Sequence, residues 1–146
     1  MLVLGKILKT MNDYNKYLKE LNITESQIQL LVSIDNVKET ISDIYYKSDS
    51  KIHGIGVFAS KSMRKGEIIG DVSKSGKYRT TLGRWVNHSK ESNTSFHEKK
   101  DGINMVAIAS KDIIKNEEIV VNYRHHTDNI DFLQTIEIIK QLNSNE

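Results

Sequence analysis

The sequence predicts a mainly β domain flanked by helical segments. Three observations carry that reading. Apolar residues recur at helical spacing up to about Ser48, short Gly-punctuated strand candidates follow, and the helical period returns after Tyr123. The chain is expected to hold no repeats, and with no proline and no low-complexity tract it offers no linker between domains. It divides into an N-terminal helical segment (1–48), a β-rich core (49–125) and a C-terminal helix (126–146) packing on that core.

In the first segment Met11, Tyr14, Leu18 and Leu21 form one apolar stripe. Thr24 with Gln27 has the form of a capping box, with Ile28, Leu31 and Val32 on one face behind it. Asn36 with Glu39 repeats the signal, and Val37, Ile41 and Ile44 continue at helical spacing. From Ser48-Asp49-Ser50 the pattern changes. Strands are expected over 57–59, 67–72, 94–98, 103–109 and 118–121, with Lys99-Lys100-Asp101-Gly102 as a hairpin turn. Asp128 can cap a last helix carrying Ile130, Leu133, Ile136, Ile139 and Leu142.

A chain of 146 residues that is 38% hydrophobic supports one packed domain. The net charge of +2 is too small to argue for nucleic acid as the main ligand. The absence of cysteine excludes disulfides and Cys-based zinc sites. The apolar N-terminus is short and broken by Lys6, unlike a signal peptide, and no run reaches the roughly 20 apolar residues of a membrane helix. These features suit a soluble intracellular protein, cytoplasmic or nuclear, with no membrane partner.

Three stretches in the β-rich part hold chemistry-bearing residues. In His53-Gly54-Ile55-Gly56-Val57-Phe58-Ala59 the two glycines let backbone approach a ligand, although a tight turn explains a lone Gly-x-Gly equally well. Gly54, Gly56 and Ala59 also match the spacing of a dinucleotide fingerprint. That motif needs a buried strand before it and a helix after it, and neither is expected here. In Arg84-Trp85-Val86-Asn87-His88-Ser89, followed by Asn93, the carboxamide of Asn87 could meet an amino-acid group with a donor and an acceptor. His88, His97, His125 and His126 fit no known metal-site spacing, so no metal is expected. Asn116-Glu117-Glu118-Ile119-Val120-Val121-Asn122-Tyr123 places a phenol at the end of a strand.

In this order the three stretches, with the turn Lys65-Gly66-Glu67, closely resemble the SET-domain protein lysine methyltransferases over about Ser50 to Arg124. The resemblance implies a fold of small curved β-sheets of the β-clip type. Its C-terminal motif would thread under a loop as a pseudoknot, bringing Asn87 and Tyr123 together. It implies S-adenosylmethionine as cofactor, held by the backbone of Gly54, Ile55 and Gly56 and by the segment Arg84, Asn87 and His88. Asn87 would take the amino-acid group, and His88 the adenine largely through its backbone. Tyr123 would line the methyl-transfer channel, with Tyr78 as a second channel aromatic. The substrate would be a lysine in a histone or another protein.

The sequence departs from the family at Lys90, where Cys is usual, at Ser92, where Pro is usual, and at Asn122 in place of Asp. The segment between Val72 and Arg84 is short, and no Cys-rich flanks exist. The C-terminal helix would then close the cofactor pocket, with Phe132 as a lid or core residue. The N-terminal helices could pack on the sheet, form a homodimer or dock the substrate. A catalytically silent SET-like module that binds a peptide is the alternative, but Asn87 and Tyr123 are both present.

Overall fold

The structure is a computed structural model and describes residues 13–27, 37–74, 78–102 and 104–126. Helical residues 13–21 lead into a capped turn. Thr24 N–H donates to Gln27 Oε1 at 2.8 Å and Gln27 N–H to Thr24 Oγ1 at 3.2 Å, the reciprocal capping box that the sequence predicts. The helices expected beyond Ile28 and after Asp128, with Phe132, lie outside the described residues.

Among the described residues nine strands come next: β1 (Tyr45–Asp49), β2 (Ile55–Ala59), β3 (Ile68–Asp71), β4 (Ser73–Lys74), β5 (Tyr78–Arg79), β6 (Asn87–His88), β7 (Thr94–Glu98), β8 (Met105–Ala109) and β9 (Glu118–Val121). A helix, Thr81–Trp85, precedes β6, and a 3-10 turn, Tyr123–His126, succeeds β9. One sheet runs β1-β2-β9-β7-β8-β3, with β6 pairing β9 off that path, and β4-β5 form a separate ribbon. The fold is mainly β, as expected. Strand β9 runs antiparallel to β2 and parallel to both β6 and β7.

Two sequence expectations fail here. Residues 37–42 are not helical: Val37 bridges Arg79, Ile41 is fully exposed and Glu39 pairs with Lys47. The segment continues into β1, which crosses the boundary drawn at Ser48. Strand β1 pairs with β2 in full register, and the exposed Tyr46 stacks on its partner Phe58 at 5.7 Å. A strand whose outer residues are Tyr, Lys, Ser and Asp shows no period-two apolar signal, so its pairing decides its conformation.

The second failure concerns repetition, because the core is built from two similar units. Residues 59–69 (ASKSMRKGEII) correspond to 109–119 (ASKDIIKNEEI) at a shift of 50. The structure obeys the same shift. Gly66 N–H donates to Ala109 O at 2.7 Å and Asn116 N–H to Ala59 O at 2.7 Å, while Met63 and Ile113 exchange backbone bonds. Gly66 (φ 94°) and Asn116 (φ 73°) sit at the same left-handed turn position, which Gly and Asn tolerate best. The β1–β2 hairpin corresponds to β7–β8, whose turn closes through Gly102 N–H to Lys99 O at 2.9 Å.

The main core forms where the units face each other. Val57, Ala59, Met63 and Ile69 from the first meet Ala107, Ala109, Ile113 and Ile119 from the second, and all are buried. Burial of these side chains is the main stabilising term, at roughly 1.5–3 kcal/mol for each larger one.

Candidate active site

The site lies where β6 meets β9. Asn87 pairs with Val120 and His88 with Val121, and this parallel register carries Tyr123 past the two residues. The Tyr123 hydroxyl donates to Val86 O at 2.7 Å, and the Tyr123 N–H donates to His88 Nδ1 at 3.0 Å. Residues 35 apart or more in sequence are thus brought into direct contact. The segment after β6 holds β9 further: Ser89 N–H donates to Val121 O at 2.9 Å, and the Asn93 carboxamide bonds Glu118 O and Val120 N–H. Asn122 Oδ1 accepts from Arg124 N–H at 3.1 Å, so the Asn in place of Asp still caps the turn that begins at Tyr123.

Asn87 Nδ2 lies 3.1 Å from His53 O, 3.3 Å from Ile55 O and 2.9 Å from Glu118 Oε2. Three acceptors around one atom identify it as the amide nitrogen. Asn87 Oδ1 accepts no hydrogen bond among the described residues. The loop His53-Gly54-Ile55-Gly56 is therefore tied to β6 through its own carbonyls. Gly56 allows the close packing, since a Cβ there would lie 2.5 Å from Glu118 Oε2 and 3.0 Å from the Ser50 Cβ. Gly54 (φ 47°) needs its glycine for the backbone, and the space beside it is open.

Glu118 also accepts from Ser50 Oγ at 2.8 Å. Burial pushes its carboxyl up, against the lowering effect of the Asn87 and Ser50 bonds. Burial likewise pushes the Tyr123 phenol up, opposed by the charges of Arg79 and Arg84. Arg84 lies over the Trp85 ring at 5.3 Å, and burial lowers its pKa. Arg79 Nη1 donates to Gly83 O at 3.0 Å, and burial, then Arg84, lowers its pKa to about 10.

The N-terminal helix covers this group. Tyr17 is buried and stacks on His88 with centroids 5.7 Å apart at 14°. Tyr14 meets His53 at 5.9 Å and Tyr123 edge-on at 6.3 Å, and its hydroxyl donates to Glu25 Oε2 at 2.9 Å. His88 Nε2 lies 2.7 Å from Asp13 Oδ2, which also receives Arg124 Nη1 at 2.8 Å.

Of the residues singled out from sequence, Gly54, Ile55, Gly56, Asn87, His88 and Tyr123 are brought together, and Arg84 contributes its charge. Tyr78 is not brought to Tyr123: it sits on β5 under Lys38 Nζ at 5.5 Å, and its ring meets no other aromatic among the described residues. Sequence reasoning missed Glu118, Asp13, Tyr14, Tyr17, Arg79 and Arg124. Glu118 lay inside a quoted motif as an ordinary strand residue. Tyr14 read as part of an apolar stripe, and Tyr17 stands outside that stripe.

Comparison with known proteins finds a family match over part of the chain. The SET domain model matches residues 71–124. The match begins after the Gly54-Ile55-Gly56 loop, which the structure attaches to it through Asn87. A solved structure of a candidate histone methyltransferase from Plasmodium falciparum is similar to this chain at 25% identity, covering 57% of this chain and 95% of that one with a TM-score of 0.44. No curated protein sequence matches the chain. No helix among the described residues is long and apolar enough to cross a membrane.

Proposed function

We propose that this SET-domain chain transfers a methyl group from S-adenosylmethionine to the side-chain amine of a lysine in a protein, a histone being one candidate. The observation that carries the proposal is the convergence of Asn87, His88 and Tyr123 on the Gly54-Ile55-Gly56 loop. The site offers an acceptor to the ammonium of the cofactor's zwitterionic amino-acid end. Asn87 Oδ1 is an available acceptor, on a carboxamide whose Nδ2 is held by the carbonyls of His53 and Ile55 and the Glu118 carboxylate. A free carboxamide oxygen accepts from an ammonium group and cannot donate to a phosphate. The backbone of His88 would serve the adenine, since its ring is committed to Asp13 and Tyr123.

The bound cofactor would supply a methyl on a sulfonium, which already has a good leaving group. The chain's own residues then need to align a neutral amine and exclude water. Tyr123 would orient the amine from a phenol that burial keeps protonated. The half-buried cations Arg79 and Arg84 disfavour a further positive charge beside that phenol, which selects the neutral amine. The parallel pairing of β9 with β6 and β7 supports a pseudoknot at this point. The N-terminal helix packs on the site, which favours packing over dimer formation as its use.

The test is transfer of labelled methyl into histones and a whole-cell protein extract, with Tyr123→Phe as control. Label on lysine from the wild-type protein alone supports the assignment. Cofactor binding without label on any protein would favour a silent peptide-binding module, and neither binding nor label would remove the cofactor assignment.

A further inference from the structure

We infer that Asp13, from the N-terminal helix, is a positioning residue for Tyr123 and acts through the imidazole of His88. The inference deepens the proposed function and rests on it for the role of Tyr123.

Tyr123 N–H donates to His88 Nδ1 at 3.0 Å, so that nitrogen carries no proton. The neutral ring then bears its proton on Nε2, which faces Asp13 Oδ2 at 2.7 Å. One ring nitrogen's partner sets the state of the other. If Nδ1 were protonated, as the other tautomer or as imidazolium, two N–H groups would oppose each other and Tyr123 would lose its backbone anchor. Asp13 holds the required tautomer in place. The ring has little freedom to adapt, because His88 is 2% exposed and lies under Tyr17.

The helix holds Tyr123 from its other side as well. Tyr17 Oη donates to Tyr123 O at 3.4 Å, so both backbone polar groups of Tyr123 depend on helix residues. Arg124, the next residue, binds Asp13 at 2.8 Å and Glu20 Oε2 at 3.1 Å. The charged and titratable groups facing His88 are Asp13, Tyr14 and Tyr17 from the helix and Tyr123, Arg124 and His125 from the turn after β9. Asp13 favours the charged ring, whereas burial, Arg124 and His125 favour the neutral one, the form this geometry requires.

The experiment compares the full-length protein with Asp13→Asn, Asp13→Leu and Asp13→Glu. Imidazole nitrogen shifts by NMR report the His88 tautomer independently of any activity. Wild type should show a single Nε2–H tautomer. Asp13→Leu, with no acceptor, should show a mixture or protonation of Nδ1. With folded protein and retained cofactor binding, Asp13→Leu turnover should fall at least about tenfold, because displacement of an aligning group by about an ångström has costs of that order or larger. Asp13→Glu should restore the tautomer and part of the turnover, and Asp13→Asn should fall between. An unchanged His88 tautomer in Asp13→Leu would overturn the inference whether or not the chain proves to be a methyltransferase. A shifted tautomer with unchanged turnover would overturn the link to Tyr123. A wild type with the expected tautomer but no turnover on any substrate would instead count against the proposed activity.

Discussion

Asn87→Asp tests the assignment of the site's central amide. The change is nearly isosteric but puts an oxygen where Nδ2 stands, 2.9 Å from Glu118 Oε2. Two ionised carboxylates at that distance repel by about 6 kcal/mol at an effective dielectric of about 20. Binding one proton is cheaper. Holding an ordinary carboxylic acid protonated at pH 7 costs about 3.7 kcal/mol, from roughly 2.7 pH units at 1.36 kcal/mol each. Glu118 already sits above the usual carboxylate range, so that figure is a ceiling. We expect a loss of about 2–4 kcal/mol at pH 7, part of it from the His53 and Ile55 carbonyls left without a donor. The variant's folded state holds one more proton than its unfolded state, so its deficit grows as pH rises above about 4.5 and shrinks on acidification. Urea titrations at pH 5 and pH 7 would measure it. Glu118→Gln in the Asn87→Asp background should remove most of the pH dependence, since the new amide can donate to Asp. A deficit that is independent of pH and unrelieved by Glu118→Gln would refute the reasoning. The amide would then face the other way, and Oδ1 would not be available to a ligand.

Other substitutions probe separate links. Tyr123→Phe removes the bond to Val86 O, so stability should fall by about 1 kcal/mol, with cofactor affinity in calorimetry changed less than about threefold and methyl transfer reduced at least about tenfold. A Cβ at Gly83 would fall on the Val72 carbonyl oxygen and lie 2.9 Å from Val72 Cγ1, so Gly83→Ala should cost about 3 kcal/mol in urea unfolding. At Gly66, whose φ is 94°, Ala should cost about 1–2 kcal/mol and Asn no more than about half of that, because the related unit places Asn116 at this turn. Arg124 heads the causes that hold the Asp13 carboxyl down at about 2. Stability from that pair is therefore present above about pH 4 and should decline by up to about 2 kcal/mol as pH falls to 2, a loss that Arg124→Leu should largely abolish.

Local signals were legible in the sequence where nothing distant competed with them. Strands β7 and β9 occupy the expected 94–98 and 118–121, because short runs containing β-branched or aromatic residues are bounded by turns. The capping box at Thr24 and Gln27 forms, yet the same signature at Asn36 and Glu39 precedes no helix over 37–42. There Val37 pairs with Arg79, and Thr40 N–H donates to Thr81 Oγ1 at 2.8 Å, so tertiary hydrogen bonds outweigh a weak helical preference. Two-residue strands such as β6 are too short to have a period at all. Within the site, Asn87, His88 and Tyr123 were visible as residue types in a familiar order. The contribution of Asp13 was not, because it depends on a helix docking 75 residues away from its partner.

The site occupies the place where the two similar units cease to match. Between them they supply the buried core and the reciprocal turns, and each surrounds its turn with the same backbone bonds. The two units differ in the chain segments that leave them. After β3 the chain turns at Val72 into β4, β5 and the helix Thr81–Trp85, which lead to Asn87 and His88 on β6. After β9 it turns at Asn122 into Tyr123, and β6 inserts beside β9 with no counterpart beside β3 among the described residues. Equal flanks at both ends would give two half-sites, each lacking a partner for its amide or its phenol. The asymmetry brings both exits together at one end of β9, and the helix 13–21 then fixes the result by holding Tyr123 through His88 and Tyr17. Stability and chemistry are thus assigned to different parts of the chain. Substitutions in the paired cores should lower stability, whereas Asp13, Asn87 and Tyr123 should change how the site binds or acts.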